Sequence, residues 1–239
     1  MSLRVNMARP GKIIEAEQRS SIQEVDGTLA GRLGRMSLGQ QVITLAIWPL
    51  LEQILSFMVN TVDLILATRM ADGDTRVAIM DALGLGGYAM WLMMILQGAV
   101  ATGVLAIVSR AAGARKPEEA RQGLVQGILA GLFMGILSGL IIRLSLPQII
   151  KIFGLSDAAS GYAFNYLSIL AWSCPFLGIF YACTNALRAI GDTRTPFFIM
   201  LFINMCNMIL SAAFVFLDPP LGGMGIAGLA WGSLLAWLL

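Results

Sequence analysis

The sequence predicts an all-α membrane protein with six transmembrane helices, and three observations support this prediction. Of the 239 residues, 57% are hydrophobic and 13% are charged, which is about half the charged fraction of an ordinary soluble domain. The apolar residues are gathered in segments close to the roughly 20 residues that a helix needs to cross a bilayer. Short polar connections separate these segments. The lipid bilayer is therefore the expected surrounding of most of the chain.

The chain divides into a polar tail and an apolar unit. Residues 1–37 carry charges of both signs and lack the apolar core and small-residue cleavage site of a signal peptide. We interpret them as a cytoplasmic tail and residues 38–239 as a six-helix transmembrane lobe. The last predicted span has only about 15 residues and is interpreted as cut short. The predicted spans are 41–67, 83–108, 123–143, 160–187, 196–217 and 225–239.

The positions of the basic residues predict an orientation. Twelve of the 16 lysine and arginine residues lie in the tail, in the second-to-third connection and in the fourth-to-fifth connection. Because cytoplasmic connections carry the excess of positive charge, the N-terminus is predicted to be cytoplasmic. We expect a multi-pass protein of the cell inner membrane.

The first span contains acidic and amide side chains that lipid does not accommodate. Glu52 and Asp63 are eleven residues apart, so a helix brings them to nearly the same face, about 16 Å apart along its axis. Asn60 lies on the flank of that face. Since an acidic group at membrane depth costs about 2.5–3.5 kcal/mol, it is expected to face protein or a wet cavity. Two interpretations remain for each acid: a functional group facing a wet cavity, or a structural carboxyl for Glu52 and a headgroup-level residue for Asp63.

Two later spans carry further polar side chains that can line a cavity. Asn204, Asn207 and Ser211 follow spacings of three and four, which put them on one face of the fifth span. Tyr166 lies in the fourth span. Pro175, near the centre of the same span, removes one backbone hydrogen bond and predicts a kink that can serve as a hinge. If the first and fifth spans face each other, Asp63 and Asn207 lie at similar depth.

Three sequence motifs resemble those of the multidrug and toxic compound extrusion (MATE) family of the MOP superfamily. The first is Pro49 followed by Glu52-Gln53 and by Val62-Asp63 in the first span. The second-to-third connection SRAAGARKPEEA and the fourth-to-fifth turn ALRAIGDTRTP are also similar to family motifs, and the latter is the most specific. The resemblance covers roughly residues 38–239, with the motifs in family order.

The resemblance implies both a fold and a transport function. Family members have twelve helices in two lobes and exchange H⁺ or Na⁺ for amphipathic, often cationic compounds, and this chain resembles the first lobe. Asp63 matches the family's first-helix coupling acid, Tyr166 a cavity tyrosine and Asn207 a fifth-helix asparagine. Many prokaryotic members have an aspartate where this chain has Ser211, so a site with two carboxylates becomes a site with one, plus Glu52 at greater depth.

The alternatives are a flippase for lipid-linked saccharides with the same fold, and an inactive truncated membrane fragment. A flippase is expected to have a cationic cavity, whereas lysine and arginine occur here only near span ends. An enzyme is the least expected class, because the sequence has no nucleophile–base pair, phosphate loop or heme signature. No histidine accompanies the three cysteines, so no metal site or cofactor is predicted beyond the coupling H⁺ or Na⁺. The expected partners are small amphipathic or cationic substrates, the bilayer and a second lobe or second copy, with no nucleic acid.

Overall fold

The computed structural model describes residues 36–219 and 222–239, and all regular secondary structure within them is helical. The predicted tail at residues 1–37 lies almost entirely outside these residues. The described part contains the α-helices α1 (Leu38–Thr68), α2 (Gly73–Gly113), α3 (Pro117–Phe153), α4 (Asp157–Leu170), α5 (Cys174–Ala189), α6 (Arg194–Phe216) and α7 (Ile226–Leu238), with a 3₁₀ turn at Ala171–Ser173 between α4 and α5.

Five helical segments are long and apolar enough to cross a membrane: α1, α2, α3, the continuous segment Asp157–Ala189 and α6. The chain is therefore a multi-pass membrane protein whose described part is all-helical. The sixth predicted span is a helix too, but α7 has 13 residues and so extends about 20 Å at 1.5 Å per residue. A hydrocarbon core is about 30 Å thick, so the structure does not confirm six spans.

Two helices extend well beyond the apolar segments that predicted them. Helix α2 begins at Gly73, although residues 68–81 were expected to form a polar connection, and α3 continues to Phe153 instead of ending at residue 143. Pro147 lies inside α3 without ending it. Helix α3 starts at Pro117, and Ser156 caps α4, since its side chain accepts a hydrogen bond from the Ala159 N–H.

The described chain divides into two compact units, one ending at Ala46 and the other comprising Ile47–Leu239. In the first unit, a capping box begins α1. The Gln40 N–H donates to the Ser37 hydroxyl at 3.4 Å, and the Ser37 N–H donates to the Gln40 side-chain oxygen at 3.1 Å. This reciprocal pair satisfies two backbone donors that the first helical turn leaves free.

In the second unit, successive membrane-length segments run in alternating directions. The largest buried apolar cluster joins the end of α1 (Ala67) to the start of α2 (Ile79 and Ala82) and the start of α7 (Ile226). A separate cluster joins the end of α2 (Val104 and Val108) to the end of α5 (Ala182 and Ala186) and to residues near the start of α3. The clusters therefore lie at opposite ends of the helices, as an up-and-down bundle requires.

Glycines spaced four residues apart on α3 let three helices approach closely. A Cβ at Gly127 would lie 2.3 Å from Val104 of α2, and a Cβ at Gly131 would lie 2.4 Å from the Gly178 carbonyl oxygen of α5. Because lipid provides little hydrophobic force between helices, such close backbone packing is a main source of association in a membrane.

The helix of the fourth span changes to a 3₁₀ turn beside Pro175. Helix α4 passes into the 3₁₀ turn just before Pro175, and α5 begins at Cys174. The side chain of Gln97 on α2 donates to the Cys174 carbonyl at 3.4 Å, and the Ser173 hydroxyl donates to the Leu170 carbonyl at 2.6 Å. These bonds satisfy backbone groups where the regular helical ladder breaks. The role of Pro175 as a hinge stays a prediction.

Candidate functional site

Asp63 lies on the side of α1 that faces the protein. The buried residues of α1 are Glu52, Val59 and Ala67, and Asp63 follows Val59 and precedes Ala67 by four residues each, which places it on the same face. Its side chain is partly buried, and its Oδ1 atom is fully buried without a hydrogen-bond partner among the described residues. The shared face of Glu52 and Asp63 agrees with the helical spacing. Asn60, on the flank, is exposed.

Tyr166 lies at the same end of the bundle as Asp63. Its ring covers Gly86 of α2 so closely that a Cβ there would be 2.6 Å from the ring edge. Tyr166 and Leu66 both pack against the large apolar cluster that contains Ala67. Tyr166 also lies near the carboxyl group of Asp63. The structure therefore brings together the aspartate and the tyrosine that the sequence analysis singled out.

The predicted polar face of α6 is present and buried. Asn204, Asn207 and Ser211 are 5%, 6% and 0% exposed. The Asn207 side-chain amide donates to the hydroxyl of Ser233 on α7 at 2.9 Å. The remaining polar atoms, Asn204 Nδ2, Asn207 Oδ1 and Ser211 Oγ, have no hydrogen-bond partner in the described part of the chain. An amide cluster with unused donors and acceptors is able to bind a polar group, water or an ion.

This α6 face is directed toward α7. Gly232 of α7 lies against Ser211, since a Cβ at Gly232 would be 2.5 Å from the Ser211 hydroxyl oxygen. Among residues 36–219 and 222–239, no hydrogen bond joins Asp63 to Asn207 or Ser211. The sequence analysis missed Ser233, although a serine beside a glycine in an otherwise apolar helix was a usable signal.

Glu52 has a cationic partner that the sequence analysis also missed. Its Oε2 atom accepts a hydrogen bond from Arg188 Nη2 at 2.6 Å, across 136 residues of sequence. The side chains are 9% and 23% exposed, so this ion pair is largely shielded from water. Arg188 lies in the last turn of α5, which agrees with the expectation that basic residues stand near span ends. The coupling role of Glu52 stays a prediction.

Other residues of the fourth-to-fifth turn form the hydrogen bonds that begin α6 and contact the side chain of Trp48 on α1. The Asp192 carboxylate accepts hydrogen bonds from the Thr195 hydroxyl and N–H and from the Arg194 N–H, and these bonds hold its pKa below the usual range. The Arg194 guanidinium lies 5.4 Å from the centre of the Trp48 ring, and Trp48 packs on Phe197 at 5.4 Å. We call this set, with the Glu52–Arg188 pair, the first-helix clasp.

An open groove of about 410 Å³ lies on α2. It is lined by two glycines and two aromatic residues, namely Gly84, Gly87, Tyr88 and Trp91. The aromatic side chains are 69% and 59% exposed. None of the polar residues predicted for the site lines this groove, so it is a separate apolar and aromatic surface.

Comparison with known proteins identifies the family. The MatE family model matches residues 49–213, so the chain belongs to the multidrug and toxic compound extrusion family, whose members are transporters. This confirms the family resemblance of the sequence motifs. The matched region includes the first-helix acids, every residue of the clasp except Trp48, and the polar face of α6.

Individual relatives agree with this assignment. The chain is 20% identical to the uncharacterized transporter YisQ of Bacillus subtilis over 79% of its own length and 41% of the relative. It is 24% identical to the probable multidrug resistance protein NorM of Acinetobacter baylyi over 80% of its length and 42% of the relative. An outward-facing multidrug resistance MATE transporter superposes with a TM-score of 0.72 at 21% identity, covering 82% of this chain and 42% of that one. The chain thus spans less than half the length of these relatives.

Proposed function

We propose that this chain is one lobe of a secondary transporter that exchanges H⁺ or Na⁺ for amphipathic, often cationic drugs or toxic compounds. The observation that carries the proposal is the burial of Asp63 together with its lack of a hydrogen-bond partner among the described residues. Its Oδ1 atom is buried on the protein-facing side of a membrane-length helix and has no hydrogen-bond partner among the described residues. A carboxyl group in such a position is more consistent with binding an exchangeable ligand than with a purely structural role.

In the proposed exchange, the coupling cation and the cationic substrate bind in turn to one negative charge, the carboxylate of Asp63. With H⁺ or Na⁺ bound, Asp63 is neutralised and one arrangement of the helices is favoured. With the cation released, the carboxylate is free to attract a cationic substrate and the other arrangement is favoured. Coupling of this kind requires only that the two ligands differ in affinity for the two states. Tyr166, which lies near Asp63, contributes an aromatic face and a hydroxyl group to the same region.

The polar face of α6 supplies the second part of the proposed site. Asn204, Asn207 and Ser211 present amide and hydroxyl groups without a further carboxylate, and three of their buried atoms have no hydrogen-bond partner among the described residues. In the proposed cycle, α6 and α7 move relative to α1 and bring these groups toward the cation bound at Asp63. Asn60 lines the more exposed entrance beside it.

The proposal extends to assembly and location. The relatives are more than twice as long as the aligned region, so a complete substrate path is proposed to need a second unit, either a second lobe or a second copy. The basic connections support an inner-membrane protein with a cytoplasmic N-terminus. The flippase alternative is not favoured, because Arg188 is paired with Glu52, which leaves its charge unavailable to an anionic sugar carrier.

Efflux of a fluorescent organic cation tests this function. Cells that lack their own multidrug pumps would express the chain, and ethidium accumulation would be followed with and without an imposed H⁺ or Na⁺ gradient. We expect gradient-dependent efflux for the natural protein and its loss in Asp63→Asn. Asp81→Asn, a change at an exposed aspartate of α2, is the matched control and should retain efflux.

Two results would contradict the proposal. If the natural chain expresses in the membrane but never lowers ethidium accumulation under either gradient, the proposal that this chain, with a second copy of itself, exchanges a cation for ethidium is wrong. If Asp63→Asn retains full gradient-dependent efflux, the exchange does not depend on Asp63.

A further inference from the structure

The two acidic residues of α1 are in different chemical situations. Glu52 is bound to Arg188, with 2.6 Å between Oε2 and Nη2. Asp63, about 16 Å further along the helix, has a buried oxygen without a hydrogen-bond partner in the described residues. Since a guanidinium group keeps its proton throughout the physiological pH range, Glu52 has a permanent cation beside it. Asp63 has no such partner in the part of the chain that the structure describes.

The groups near the Glu52–Arg188 pair on α5 and α1 are uncharged side chains, so Glu52 is the anion that balances the charge of Arg188. On α5, Tyr181 lies seven residues before Arg188 and near both charges, and Asn185 donates its amide to the Tyr181 carbonyl at 2.9 Å. On α1, the Ser56 hydroxyl donates to the Glu52 carbonyl.

The nearest charges on the side of α6 have other partners. Arg194 lies over Trp48, and Asp192 accepts the hydrogen bonds that begin α6. The two charges of the pair therefore balance each other and connect α1 to α5, while the buried Arg188 Nε has no hydrogen-bond partner among the described residues.

We propose that Arg188 is a positioning residue that serves as the built-in counter-cation of Glu52, so that Glu52 stays ionised and anchors α1 while Asp63 alone exchanges the coupling cation. This assignment rests on the proposed function for the role of Asp63. It reassigns Glu52 from cation coupling to anchoring. The physical reason is that an external H⁺ or Na⁺ must compete with a tethered guanidinium for the charge of Glu52, whereas it meets no such competitor at Asp63.

Infrared spectroscopy of the purified full chain in lipid nanodiscs tests the assignment without requiring transport. Because the chain has 14 aspartate and glutamate residues, the carbonyl stretch of protonated carboxyl groups would be recorded as the pH is lowered, and the spectrum of each variant would be subtracted from that of the natural protein. We expect a wild-type band that is lost in Asp63→Asn and kept in the double variant Glu52→Gln/Arg188→Gln. In Arg188→Gln a second band should appear, because Glu52 loses its cation. Arg188→Lys keeps the positive charge and should suppress that second band.

A stability cycle distinguishes pairing from ordinary packing. Glu52→Gln and Arg188→Gln should each lower the melting temperature, and the double variant should recover most of the loss, since it leaves no uncompensated charge. The same cycle on Glu118 and Arg121, an exposed ion pair with side chains 63% and 67% accessible, is the matched control and should show little coupling.

The assignment is overturned if the wild-type carboxyl band disappears in Glu52→Gln/Arg188→Gln, because Glu52 would then be a proton-exchanging group. It is also overturned if Arg188→Gln yields no new band and the stability cycle shows no coupling. Absence of ethidium efflux in every variant would instead count against the proposed function. The role of the Glu52–Arg188 pair would still be decided by the infrared and stability results.

Discussion

The contact between Gly178 of α5 and Gly131 of α3 leaves no room for a methyl group. A Cβ at Gly178 would lie 2.0 Å from the Gly131 carbonyl oxygen, whereas ordinary contact begins at 3.4 Å, so Gly178→Ala requires the two backbones to separate by about 1.4 Å. The separation of the α3 and α5 backbones cannot be confined to Gly131 and Gly178. One turn away, a Cβ at Gly135 would be 2.5 Å from the Cys174 carbonyl oxygen, which shows that the same two helices remain in backbone contact there.

We expect Gly178→Ala to lower the free energy of unfolding by about 2 kcal/mol. Overpacking of a well-packed interior costs about 1–3 kcal/mol, and the better helix propensity of alanine recovers up to about 1 kcal/mol. Thermal unfolding in detergent, followed by the loss of monodisperse protein on size-exclusion chromatography, measures the change.

Gly161→Ala is the matched control for this prediction. Gly161 lies in α4, is exposed, and would place its Cβ in open space. We expect it to be neutral or slightly stabilising. Equal melting temperatures for Gly178→Ala and the natural protein would refute the reasoning, because the close approach of α3 and α5 would then not exist in the folded protein.

Two further predictions concern single polar groups. Ser233→Ala removes the acceptor of the buried Asn207 amide and should lower the free energy of unfolding by about 1–3 kcal/mol; an unchanged melting temperature would indicate that Asn207 has another partner. Asp192→Asn should reduce stability at neutral pH, because hydrogen bonds hold the pKa of Asp192 below its usual range. That contribution is present above the unfolded pKa of about 3.9 and is lost as the pH falls through the lower folded value. The difference in melting temperature between the natural protein and Asp192→Asn should therefore shrink below about pH 4, and a constant difference across that range would count against the prediction.

The positions of the long apolar segments could be predicted from the sequence, but their ends could not. Each of the first four predicted spans lies within a membrane-length helix, and the fifth, 196–217, passes the end of its helix at Phe216 by one residue. The agreement arises because a run of about 20 apolar residues has few other stable structures in a bilayer. Composition does not mark where the hydrogen-bonded ladder ends. Helix α2 therefore includes the polar turn that begins at Gly73, and α3 continues through Pro147.

Residues that share a face of one helix were predictable, whereas contacts between helices were not. The period of 3.6 residues placed Glu52 with Asp63 and Asn204 with Asn207 and Ser211. The pairing of Glu52 with Arg188 and of Asn207 with Ser233 depends on which helices are neighbours and on their relative rotation. In a membrane those are decided by close glycine contacts, whose partners the local sequence does not specify.

The most direct test of the proposed exchange is cation release at Asp63. The purified full chain, in nanodiscs and weakly buffered solution, would receive ethidium while a pH indicator reports protons and a sodium electrode reports Na⁺. The account predicts that ethidium binding releases H⁺ or Na⁺ from the natural protein and from Asp81→Asn but not from Asp63→Asn. If Asp63→Asn binds ethidium and releases the same amount of cation as the natural protein, the claim that Asp63 exchanges a cation for the substrate is wrong.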